Sequence, residues 1–229
     1  MEHSYLDESR SIVRLINSLY IMAIGINTYS TDKDLFGKSH WWGFPDMPLG
    51  FTIPSRDGID EEGLEDLLTF ICQINLEDLA PFDESKQLPR KGMLYFFAAL
   101  DYYLGDYDVD GEGVGFWSED AFKVIYCPDI SDLHTHVVKW PDGSPATLPA
   151  EAMEFVKVND NESGHKLLGV PFFDEVEQEC GDMVSLLQID EDDRWGLRFF
   201  DMGNVNFVIP MESLAARDFS NVNVYLHCM

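Results

Sequence analysis

Apolar positions along this chain recur first at helical spacing and afterwards at strand spacing. Residues 11–23 place Ile12, Ile16, Leu19, Tyr20 and Ala23 on one face and leave Arg10, Arg14 and Asn17 to face outward, which predicts an amphipathic N-terminal helix within about 6–25. The turn-rich stretch 28–60 follows, with Pro45, Pro48, Pro54 and several glycines, and reads as a loop packed by aromatic side chains. Residues 67–74 are apolar nearly throughout and end at the polar Gln73-Ile74-Asn75, as a buried strand does on leaving the core, and 76–79 fit one helical turn before Pro81. Further strands are predicted over 93–100, 122–126, 134–140, 183–189, 196–200 and 205–209, and a short helix over 212–217. Val222, Val224, Leu226 and Cys228 share one face of a terminal strand. An acidic, glycine-rich connection spans 101–115, and 159–164 is all polar or glycine, a seam between two halves.

One ordered set of residues occurs twice. Gly43-Phe44-Pro45, Gln73-Ile74-Asn75 and the step from Gly92 to Phe96 reappear as Gly169-Val170-Pro171, Gln188-Ile189-Asp190 and the step from Gly203 to Phe207. The recurrence predicts one supersecondary unit built twice: a single α+β domain over 1–229, mainly antiparallel sheets with few helices, its first half at about 37–158 and its second at about 165–229. A buried glutamine amide both donates and accepts, so Gln73 and Gln188 can each tie down the backbone of the neighbouring Gly-x-Pro turn. The functional alternative has Gln73 and Gln188, with Asn75 and Asp190 at the ends of the same strands, lining a cleft between the halves that binds a small polar ligand or hydrolyses one.

Charge changes the picture more than composition does. The 229 residues are 45% hydrophobic, enough to fill a core, but 42 Asp and Glu against 15 Lys and Arg give a formal charge of −27. Such a surface repels phosphate backbones, which argues against nucleic-acid binding and for a basic protein partner. Residues 1–8 lack the basic start and apolar core of a secretory signal, and no apolar run approaches the roughly 20 residues needed to span a bilayer, so a cytoplasmic protein without membrane contact is expected. Cys72, Cys127, Cys180 and Cys228 lie far apart, without a Cys-x-x-Cys pair, and reduced thiols are the expectation.

Local motifs supply few candidates for chemistry. Asp106, Asp108 and Asp110, followed by Gly111, alternate as calcium-loop ligands do, but the twelfth position, where such a loop needs a bidentate glutamate, holds Trp117. Gly111, Gly113 and Gly115 follow acids and lack the strand–helix setting of a dinucleotide fingerprint. His134 and His136 share one face of a predicted strand with Cys127 upstream, two imidazoles without a named third ligand. Cys72 lies in an apolar strand and reads as inert. Trp41 and Trp42, with Phe44 and Phe51, can line an aromatic pocket. No Gly-x-Ser-x-Gly, His-Glu-x-x-His or phosphate loop occurs, and no cofactor is called for.

At its repeated motifs the chain resembles a known group. Phe70-Ile71-Cys72-Gln73-Ile74-Asn75, Leu88-Pro89-Arg90-Lys91-Gly92-Met93-Leu94-Tyr95-Phe96-Phe97, His165-Lys166-Leu167-Leu168-Gly169, Val184-Ser185-Leu186-Leu187-Gln188-Ile189-Asp190 and Leu214-Ala215-Ala216-Arg217-Asp218-Phe219 are similar to the YwqG-like family of bacterial domains of unknown function, domain 1963. The similarity runs from about residue 39 to the C-terminus. It implies an α+β fold with an internal duplication and no established activity. Two departures stand out: His40 where the family's first turn carries lysine, and Phe199-Phe200-Asp201-Met202-Gly203 where it often has Trp-Gly-Asp-x-Gly. Taken together, these features lead us to expect an acidic, non-enzymatic binding module that engages a basic protein, of which an immunity or inhibitor protein is the concrete form.

Overall fold

The computed structural model describes residues 22–56, 66–159 and 162–229, so all but the end of the predicted N-terminal helix lies outside the described residues. Its C-terminal limit is corrected, because the chain is already in strand β1, Ile24–Tyr29, at the residues assigned to the helix end. β1 pairs with neighbours on both sides, and that double ladder overrides the local helical spacing. The strands that follow are β2 His40–Trp41, β3 Asp46–Pro48, β4 Thr69–Asn75, β5 Met93–Ala98, β6 Gly115–Phe116 and β7 Phe122–Cys127. Then come β8 Leu133–Thr135, β9 Glu151–Lys157, β10 Lys166–Leu167, β11 Met183–Asp190, β12 Asn204–Pro210 and β13 Asn223–His227. Three short helices, α1 Leu76–Leu79, α2 Asp174–Cys180 and α3 Met211–Ala216, complete the described elements with two 3-10 turns.

Eleven strands form one sheet in the order β6-β13-β12-β11-β10-β1-β9-β2-β4-β5-β7, antiparallel at every pairing, and β3 with β8 forms a separate ribbon. Laid flat, such a sheet spans about 48 Å from edge to edge, at ~4.8 Å per strand. Its two edge strands, β6 and β7, are joined by residues 117–121 alone, a stretch of chain that reaches about 20 Å. The sheet therefore curls into an open barrel, and the rings of Phe96 and Phe207, one from each half, meet edge-to-face at 5.4 Å inside it. In β5 the alternation is visible residue by residue: Leu94, Phe96 and Ala98 enter the main core, while Met93, Tyr95 and Phe97 enter a second cluster with Met47 and Phe70. The β3–β8 ribbon covers that outer cluster. In the second half α2 takes the covering role, setting Val176 and Cys180 against Val208 and Tyr225.

Other sequence expectations are corrected in detail. The 28–60 stretch contains β2 and β3, the 134–140 run is a strand only to Thr135, and 196–200 is a loop with one isolated bridge, Asp192 to Leu197. In that loop Leu197 and Phe199 are buried without forming a ladder, which gives them the apolar alternation of a strand.

Candidate functional site

Each half builds the same clamp around its glutamine. Gln73 and Gln188 are fully buried. Gln73 Oε1 accepts from the N–H of Asp46, the residue after Pro45, at 2.8 Å, and its Nε2 donates to Lys38 O at 2.9 Å. Gln188 Oε1 accepts from the N–H of Phe172, the residue after Pro171, at 2.8 Å, and its Nε2 donates to Gly164 O at 2.9 Å. The strands carrying them are bulged at matching places, between Phe70 and Cys72 and between Ser185 and Leu187. In each case the extra residue's carbonyl accepts from the turn, Ile71 from Trp42 N and Leu186 from Leu168 N. Trp42 and Leu168 both take left-handed backbone, φ 53° and 60°, just before glycines at 74° and 82°. Six well-made bonds hold these strained turns, which is what lets a non-glycine persist there.

Asn75 and Asp190 also serve their own halves. Asn75 accepts from Glu77 N to cap α1 and donates to Gly37 O, and its N–H goes to Ser39 Oγ. Asp190 accepts from Gly164 N and Glu191 N, and its N–H donates to His165 Nδ1 at 3.1 Å. Gln73 and Gln188 lie on β4 and β11, with β2, β9, β1 and β10 between them in the sheet, and each amide is spent on its own turn.

Trp41 and Trp42 are buried and belong to an aromatic cluster that anchors the 190–203 loop to the barrel interior. Trp41 stacks on Trp195 at 5.4 Å, His165 stacks on Trp195 at 5.1 Å, and the Arg194 guanidinium lies 5.2 Å from the Trp195 ring centre. Since Asp190 donates to His165 Nδ1, the neutral ring carries its proton on Nε2, towards Asp192 Oδ2 at 3.7 Å. Burial works against the Asp192 charge, but the side chains of His165 and Arg194 outweigh it and hold the carboxyl well below the usual range. This arrangement fixes a loop and leaves no free base.

Beside it lie two adjoining depressions that share Glu191 and Met202. One adds Asp192, Asp193, Arg198, Phe200 and Asp201; the other adds Phe172, Phe173, Asp174, Glu175, Asp190 and Met229. Phe200 and Met202 hold left-handed backbone, φ 65° and 52°, and are 49% and 62% exposed. Glu191 Oε1 accepts from Phe199 N and Gly203 N, at 2.9 and 3.2 Å, and so pins both ends of the strained tip. The sequence pattern missed these residues because an apolar pair in a strand-like run reads as core.

The remaining candidates are scattered. Asp106, Asp108 and Asp110 are exposed on a turn where Asp106 caps the N–H of Asp108, and among the described residues no three His, Cys, Asp or Glu side chains lie together as metal ligands. His134 pairs with Asp132, His136 faces Met47 O, and Cys127 Sγ donates to Asp129 O, three separate contacts. Burial pushes the Cys72 thiol well up and the Cys180 thiol to about 12, so neither is a ready nucleophile.

Among the described residues, a curled antiparallel sheet with three short helices and two glutamine-clamped turns defines an α+β fold. Residues 39–228 match the family described as Domain of unknown function (DUF1963), and the chain belongs to that family. No curated protein matches it. Among the described residues no helix is long and apolar enough to cross a membrane.

Proposed function

We propose that this protein is a non-enzymatic binding module, that its docking surface is the acidic and apolar face built by 172–175 and 190–203, and that its partner is a basic protein. One observation carries the proposal: seven carboxylates surround two large apolar side chains, Phe200 and Met202, that strained backbone holds out into solvent. A left-handed non-glycine costs about 1 kcal/mol. Among the described residues nothing fully covers either side chain, whereas a partner that buries them gains about 25 cal/mol per Å² of apolar area removed from water. The carboxylates, set against Arg194 and Arg198, favour a cationic partner and steer its approach. The same field repels a phosphate backbone. An inhibitor or immunity role suits a surface of this kind, and the reduced thiols suit the cytosol. Behind the docking face, we take the two halves as copies of one unit; what supports this is the paired set of clamp bonds, bulges and left-handed turns.

The test is low-salt affinity capture from the native cell with three baits: the wild type, a face variant carrying Asp174→Lys, Glu175→Lys and Asp201→Lys, and a control carrying Asp106→Lys and Asp108→Lys. Expected is a basic protein retained by wild type and control and lost by the face variant. Retention by the face variant, or equal loss from the control, contradicts the proposal.

A further inference from the structure

The first half holds a cavity that the docking face does not touch. It has a volume of about 430 Å³ and lies between β2, the Gly43-Phe44-Pro45 turn, β8 and residues 145–150. Most of its wall is apolar, including Phe36, Phe44 and Leu148, and its polar groups are few. Thr147 spends its hydroxyl on Gly43 O at 3.0 Å. His40 is different. It is 3% exposed, and its Nδ1 lies 2.8 Å from Trp42 O. A carbonyl only accepts, so Nδ1 carries the proton and Nε2 of the neutral ring is a bare lone pair. Burial lowers the imidazole pKa, which outweighs the Trp42 carbonyl and the Asp46 charge and keeps the ring neutral near pH 7.

Across the gap from Nε2 stands Asp46 Oδ2 at 4.0 Å, also an acceptor. The two are too far apart to bond and carry no proton between them. Asp46 is itself 3% exposed and is held by Gly37 N, Gln73 Nε2 and the Thr135 hydroxyl, three neutral donors. Among the described residues no lysine or arginine pairs with it, so a buried carboxylate is left without a full countercharge beside an imidazole that lacks a donor. Whatever fills the gap must supply at least two hydrogens and benefits from a positive charge, while its remainder meets apolar walls.

We propose that this cavity is a binding site for a small primary ammonium with an apolar body, its NH₃⁺ donating to His40 Nε2 and Asp46 Oδ2. A nitrogen about 2.8 Å from each of two atoms 4.0 Å apart subtends roughly 90°, within the range a tetrahedral donor can serve. Asp34 at the cavity wall adds attraction of the same sign. Water satisfies the hydrogens but not the charge, and an anion is repelled by both carboxylates.

Benzylamine, benzyl alcohol and benzoate, titrated separately into the full chain and followed by amide chemical shifts, distinguish these occupants. Benzylamine is expected to bind at least tenfold more tightly than benzyl alcohol, with shifts at Gly37, Trp42 and Gly43, and benzoate not at all. His40→Asn keeps a donor for Trp42 O, removes Nε2 and should weaken benzylamine at least tenfold. The wild type supplies a second measurement that needs no variant: benzylamine affinity should fall at least tenfold as acidification protonates His40, because an imidazolium beside Asp46 repels and replaces the ligand. Equal affinities for the three probes, shifts that map elsewhere, or affinity indifferent to His40→Asn and to pH would overturn the proposal.

Discussion

In the first half the residue after the Gly-x-Pro turn is Asp46; in the second it is Phe172, and both backbone N–H groups go to the same atom of an equivalent glutamine. Beyond that shared bond the halves part. Asp46 turns inward, enters β3 and joins a buried polar network beneath a cavity. Phe172 stays 38% exposed, leads into α2 and lines an acidic depression. The difference teaches that the glutamine amide fixes only backbone, so the side chains hung on that backbone are free to differ: one clamp carries a cavity wall and the other a surface.

Replacing the amide by a carboxylate should break the comparison most strongly. Gln73→Glu loses the donor to Lys38 O and brings a negative charge against Asp46 Oδ2, which lies 3.1 Å from Gln73 Nε2, at an expected cost of about 4 kcal/mol. Gln188→Glu loses the donor to Gly164 O but meets Phe172 in place of an acid, and should cost about 2 kcal/mol. Denaturant unfolding of both variants measures the gap; equal losses would mean that Asp46 plays no part in the first clamp.

A second contrast separates stability from binding. Met202→Gly relieves a left-handed backbone at an exposed position and should stabilise the chain by about 0.5 kcal/mol, after the added freedom of the unfolded glycine is subtracted. The same change should weaken partner binding at least tenfold. Tighter binding together with higher stability would show that the strained tip is not a contact.

His40 gives the first half its own pH dependence. Its folded pKa is lowered by burial, so the unfolded chain binds the proton more readily. Its contribution to stability is complete above the unfolded value near 6.5 and is lost as pH falls from there through the lower folded value. Thermal unfolding of wild type and His40→Asn between pH 8 and about 5 should show a decline in the first that is reduced in the second. The smallest effect is expected at the exposed loop, where Asp108→Asn should change stability by less than about 0.5 kcal/mol. Titration with Ca²⁺ should reveal no binding there tighter than about millimolar.

Much of the fold is legible in the residues because its longer strands are apolar runs or apolar–polar alternations bounded by turn residues. β4, α1, β5, β7, β11, β12 and α3 fall within a residue or two of their expected places for that reason. β9 was not legible, since Glu151, Glu154 and Lys157 recur at three-residue spacing and only Ala152 and Phe155 of the strand are buried. β2 is two residues long, too short for any periodicity. The glutamine clamps could be anticipated from amide chemistry. The His40 cavity could not, because Asp34, Thr135 and Thr147 are far apart in sequence and only the curled sheet brings them to one wall. The exposure of Phe200 and Met202 was not legible, because it depends on backbone sign, which an apolar pattern does not encode.

Hydrogen exchange on the captured complex tests the central claim most directly. With the basic partner bound, new amide protection should appear in 172–175 and 190–203 and be absent from 101–115, the other acidic loop. Protection confined to 101–115, or spread evenly over the acidic surface, would contradict a docking site built in the second half.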